Sequence, residues 1–225
     1  MTDYQVTIKI DGNWVTDFNN NGMKLVMAKA FADKNGDPSY NIIASTGKVT
    51  ETMIASWTDS YQMTGSTQTF QNGVTITGLS GAAPISFGET YSLPSWSDHN
   101  VAKDPKSPNN GFGFRNEVKA SAVVLQNVSN ALTPVYITPF ELPKGFATLK
   151  PLPRVAFWFQ ADLSTKMMAV IDRTDVYEVD LSGGSSATIT YSGENGDWNR
   201  PLTNAVSVAV NYLARAPIAD VSLPN

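Results

Sequence analysis

Apolar and polar side chains alternate with a period of two along most of this chain. Tyr4, Val6, Ile8 and Ile10 alternate with Gln5, Thr7 and Lys9. Val74 and Ile76 alternate with Thr75 and Thr77, and Ile189 and Tyr191 with Thr188 and Thr190. Such a period sends successive side chains to opposite faces of a pleated strand, one face buried and the other wet. Strands are therefore expected over 3–10, 23–32, 40–45, 53–64, 67–78, 85–92, 112–129, 133–140, 146–160, 166–181, 186–192 and 204–213. Turn signals stand at Asn21-Gly22, Asn35-Gly36, Asn72-Gly73, Gly183-Gly184 and Asn195-Gly196. An Asn-Gly pair accepts the positive φ angles of a tight hairpin at little steric cost, so antiparallel hairpins are expected.

Four segments depart from simple alternation. Val155-Ala156-Phe157-Trp158-Phe159 and Met167-Met168-Ala169-Val170-Ile171 are apolar on both faces. They read as one hairpin turning through 162–165, covered on each side by a second layer or by a partner subunit. In 204–216, Val206, Val208, Val210 and Tyr212 alternate, while Val206, Val210 and Leu213 form a helical stripe. That segment is either a strand or a short C-terminal helix. The stretch 94–111 carries Pro94, Pro105 and Pro108 among turn formers and reads as a long irregular loop, either functional or a linker. The expected fold is all-β: a mostly antiparallel β-sandwich of about ten or more strands in a single domain, 1–225. The alternative is two small β-domains, 1–93 and 112–225, joined by the loop 94–111.

Composition narrows the function classes. Charged residues make up only 16% of the chain, so Ser, Thr, Asn and Gln cover much of the surface, which suits neutral, hydrogen-bonding ligands. A net charge of −4 with no basic stripe argues against a nucleic-acid partner. With no cysteine, disulfides, zinc-thiolate centres and thiol nucleophiles are excluded. Met1-Thr2-Asp3 leads straight into an alternating strand, so a cytoplasmic chain without a secretory signal is expected. No window approaches the roughly 18 apolar residues of a spanning helix. The sequon Asn127-Val128-Ser129 lies inside an expected strand and reads as a chance match.

Candidate chemistry is sparse. His99 is the single histidine, placed by the sequence in a polar loop beside Asp98, and no Gly-x-Ser-x-Gly elbow accompanies it. Asp33-Lys34-Asn35-Gly36-Asp37 has oxygen ligands at alternate positions. Pro38 and Ala44, however, stand where a calcium loop needs Gly and Glu, so a polar hairpin turn is expected and no metal site. Glu178 and Asp180 would share one strand face about 7 Å apart, a spacing used by inverting glycosidases, but a solvated outer face is the simpler reading. The richest segment is Ser192–Pro201, where Asp197, Trp198, Asn199 and Arg200 combine a carboxylate, an indole, an amide and a guanidinium. Sugars are held by such sets, with a ring on the aromatic face and hydroxyls bridged by polar groups. Phosphocholine is suited to them too, through cation–π contact and an arginine at the phosphate. Similar aromatic-polar loops surround Trp14 (13–21) and Trp96 (95–98), whereas Trp57 and Trp158 lie in strands and read as core.

A cysteine-free all-β chain with Trp- and Asn-rich loops resembles the cytosolic β-sandwich lectins and actinoporin-like lipid-binding proteins of fungal defence. The resemblance is one of class and rests on 13–21, 94–99 and 192–201. It implies recognition of a glycan or a membrane-lipid head group. Actinoporins begin with an amphipathic helix where this chain begins with a strand, and the Gln-x-Trp repeats of ricin-type lectins are absent. The expected function is non-enzymatic binding of a cell-surface ligand, without cofactor, through Trp198, Asp197, Asn199, Arg200, Trp14 and Trp96. The alternatives are an enzyme using carboxylates and His99 in an interior pocket, or a structural homo-oligomer.

Overall fold

The computed structural model describes residues 2–79, 81–171 and 176–199. In chain order its elements are β1 (Asp3–Ile10), α1 (Gly12–Asn20), β2 (Lys24–Ala32), β3 (Pro38–Ser39), β4 (Ile43–Lys48), β5 (Thr52–Ser66), β6 (Ala83–Ile85), β7 (Glu89–Ser95) and β8 (Asp98–Lys103). They continue with β9 (Phe112–Asn116), β10 (Ser121–Val128), β11 (Ala131–Ile137), β12 (Gly145–Leu149), β13 (Pro151–Gln160), β14 (Tyr177–Asp180), β15 (Ser186–Ser192) and β16 (Asp197–Asn199). The protein is all-β, as the alternation predicts. The strand or helix expected within 204–216 lies outside the described residues.

Three mostly antiparallel sheets are arranged in the manner of a sandwich. The largest has the order β11-β10-β5-β1-β15-β16, with β6 also paired to β5. A five-stranded sheet runs β14-β13-β2-β3 with β4 on β2, and a four-stranded sheet runs β12-β9-β7-β8. Two pairs are parallel, β1 with β15 and β7 with β9. One continuous cluster of buried side chains joins all three sheets: Val6, Ile8 and Trp57 from the largest, Leu25, Met27 and Phe157 from the second, Tyr91, Leu93 and Phe114 from the third. Trp57 and Trp158 are both buried, as their strand positions predict.

β13 is buried on both faces for the reason expected of a two-sided apolar strand. Val155, Phe157 and Phe159 enter the main cluster, while Ala156 and Trp158 join a second one with Val26, Ala28, Ile43 and Ala169. The partner of β13 differs from the expected hairpin. Residues 166–171 are not a returning strand beside it; β14 and β2 take its two edges. Met167 and Met168 instead bond through the main chain to Ile43 and Val74, and Ala169 covers Ala156 and Trp158 of β13. The strand expected over 67–78 is also absent: Thr75 makes an isolated bridge to Met167, and the Thr77 amide donates to Gln68 Oε1.

The expected irregular loop over 94–111 is a third correction. Asp98–Lys103 form β8, paired with β7 through Ser92↔Asn100 and Thr90↔Ala102, so the irregular part is confined to 104–111. The Asn-Gly glycines all have positive φ, from 67° at Gly22 to 87° at Gly36. The left-handed pair of a two-residue hairpin, though, is Ser129-Asn130 between β10 and β11. The segment 33–37 is the polar turn expected: the Asp33 carboxylate accepts from the amides of Asn35 and Asp37. Among the described residues no helix is long and apolar enough to cross a membrane.

Candidate functional site

The aromatic loop expected over 13–21 is a helix. In α1, Trp14 and Phe18 stand four residues apart and therefore share a face, which outweighs the weak helix propensity of a segment rich in Asn and β-branched residues. Phe18 is buried and stacks on Phe159 of β13 at 4.1 Å. Trp14 is half-buried, meets Tyr191 of β15 edge-on at 5.6 Å and donates its indole N–H to the Gly193 carbonyl at 2.8 Å. The helix thus closes the end of the sandwich where β15 turns into β16.

That turn carries the polar residues singled out by the sequence. Glu194, Asn195 and Asp197 are exposed, and so is Asn199, whose amide donates to the Ser192 hydroxyl. Trp198 does not project from a loop. It pairs with Tyr191 within β16, stacks on Phe159 at 5.2 Å and on Tyr177 at 5.4 Å, and is half-buried. Its ring contacts go to the protein, which makes it the support of the turn. Gly196 has φ +69°, and a Cβ there would stand 2.6 Å from Trp14 and 2.6 Å from the Tyr191 hydroxyl. The turn therefore rests directly on the aromatic group.

Trp14 and Trp198 are brought together through Tyr191. Trp96 occupies the turn between β7 and β8 in the four-stranded sheet, 41% exposed, and belongs to a different surface element. Arg200 lies outside the described residues.

The remaining candidates are placed as follows. His99 lies in β8, half-buried and stacked on Tyr91 at 5.3 Å, beside Gly81. Glu178 and Asp180 share a strand face as predicted, but that face is not solvated. Glu178 is 4% exposed and accepts from the Tyr40 hydroxyl at 2.6 Å and from Arg154 at 3.3 Å. The other arm of Arg154 bonds Asp180 at 2.9 Å. A guanidinium between two carboxylates offsets one of their two charges and binds β13 to β14. A cavity of about 300 Å³ opens over Trp158, lined by Asn72, Gln160, Asp162, Met167 and Ile171; neither His99 nor Glu178 lines it.

A buried lysine escaped the sequence reading. Lys29 follows Leu25 and Met27 on the inward face of β2 and is 4% exposed. Its signal was available: it is the one charged residue inside Leu25–Ala32, at a position where the period of two demands an apolar side chain. Burial of the ammonium holds Lys29 down to about 7, against the opposing pull of Asp59.

Comparison with protein-family models, curated proteins and solved structures finds no match to this chain.

Proposed function

We propose that this protein is a non-enzymatic recognition protein and that its ligand, a glycan or a lipid head group, is held at the turn between β15 and β16. One observation supports the reading above others: Trp14 and Trp198 converge on Tyr191 beneath the exposed polar turn 194–197. Aromatic rings fix the turn, so its carboxylates and amides are presented in a set geometry, and little ordering entropy remains to be lost on binding. In this reading Asp197 and Asn199 bond ligand hydroxyls, or the Asp197 carboxylate attracts the trimethylammonium of a choline head group, and Trp198 holds the platform. Arg200 adjoins the same strand in sequence and remains a proposed contact, as does Trp96 from its own turn.

A glycan array and vesicles of phosphatidylcholine with and without sphingomyelin test this. The double variant Asp197→Ala/Asn199→Ala is expected to keep its fold and to bind at least roughly tenfold more weakly, the value of one lost hydrogen bond of good geometry. Absence of binding to every probe overturns the function. Undiminished binding by the double variant overturns the site, and a loss confined to Trp96→Ala moves the site to the turn between β7 and β8.

A further inference from the structure

Lys29 projects from β2 into the core between the two larger sheets. Its Nζ stands 3.9 Å from the centroid of the Trp57 ring on β5, and Tyr4 of β1 stacks on the same indole at 5.6 Å, nearly parallel. On β5 the period of two puts Trp57, Asp59 and Tyr61 on one face. Among the described residues the titratable group whose field reaches the lysine is Asp59 of β5, which Tyr61 of the same strand contacts; on the same face of β2, Phe31 stacks on Tyr136 of β11 at 4.4 Å. β13 contributes apolar Val155 in direct register with Lys29, and Ala44 of β4 belongs to the same buried cluster. Arg154 of β13 bonds both Glu178 and Asp180 of β14.

We propose that Lys29 is a proton-operated latch between the two larger sheets: neutral, it packs on Trp57 as a core side chain, and protonated, it loosens the contact between β2 and β5. The physical reason is the asymmetry of its surroundings. Four aliphatic carbons and an amine suit an apolar interior, whereas among the described residues an ammonium there is compensated by an indole face and the field of one carboxylate. A proton taken up at Lys29 therefore acts on the packing of β2 against β5 and not on any exposed loop. The latch does not depend on which ligand the protein binds.

The sign follows from proton linkage. The unfolded chain holds this proton up to the ordinary lysine range, while the folded chain releases it near 7. Stability therefore rises with pH above about 7 and levels off below it. The three tyrosines are held up by burial and act only above about 10, with the opposite sign. Between about pH 7.5 and 9.5 the unfolding equilibrium constant is expected to fall by roughly tenfold per pH unit, and Lys29→Met is expected to remove that dependence and to be the more stable form at pH 6. Urea unfolding of the 225-residue chain and of the variant across this range reads both effects.

A second measurement needs no variant. In the side-chain 13C and 15N spectra of the wild-type protein, one lysine signal is expected to titrate near neutrality. The proposal is overturned if every lysine titrates in the ordinary range, or if Lys29→Met keeps the wild-type pH dependence.

Discussion

At Glu178 a carboxylate sits almost wholly inside the protein, between the Tyr40 hydroxyl and the Arg154 guanidinium. Burial raises its pKa, with Tyr40 and Arg154 opposing. Its stability contribution is therefore present at low pH and declines as pH rises through its folded value. Asp180 behaves in the opposite sense. Burial pushes it up, but the Ser182 amide and Arg154 prevail and hold it below the ordinary carboxylate range. Stability tied to Asp180 is lost as pH falls through that lowered value. Urea midpoints measured between about pH 2.5 and 5 are expected to fall towards acid in the wild type and to fall less in Asp180→Asn. Glu178→Ala strands both Tyr40 and half of Arg154, and a loss of about 3 kcal/mol is expected by urea unfolding. Glu178→Gln retains an acceptor and is expected to lose less. The alternation placed both acids on one face, but not the arginine across from them, because the pairing Arg154↔Asp180 is set by the register of two strands separated by a long excursion.

At the scale of the element, α1 shows how a local pattern yields to packing. Its sequence is poor in helix formers and has no side-chain cap at Asp11. What holds it is the stripe Trp14–Phe18 laid against Phe159 and Tyr191. Phe18→Ala is therefore expected to cost about 3 kcal/mol, read as a lower urea midpoint, with a loss of near-ultraviolet circular dichroism from the aromatic group. β8 was missed for a different reason: the prolines at 94, 105 and 108 suggested a loop, yet all three flank its six residues, and it is an edge strand where proline is tolerated nearby. Met167–Ile171 misled because buried covers and buried strands share the same apolar composition.

For the molecule as a whole, the decisive pairing is β1 with β15. Residues 5–10 and 186–191 lie side by side in parallel, so the first strand of the chain is completed by one of its last described strands. Ending the chain before Ser186 removes Ile189 from the core and leaves β1 as an uncovered edge of eight residues. Such an edge templates pairing between chains, so that truncated form is expected to sediment as aggregates where the full chain stays dispersed, a difference that light scattering reads directly. The same pairing places the turn 193–196 over α1, which is how the proposed recognition end is assembled from the two ends of the described chain.

The order of apolar and polar positions by itself determined that this chain is built of strands, that Trp57 and Trp158 are interior, and that β13 needs cover on both faces. Each of these follows from a period of two, which is a local property. Tertiary structure alone decided that residues 12–20 are helical, that Trp198 supports its turn, and that Glu178 is enclosed. Those outcomes depend on which distant strands meet and in what register, and no stretch of alternating residues contains that information.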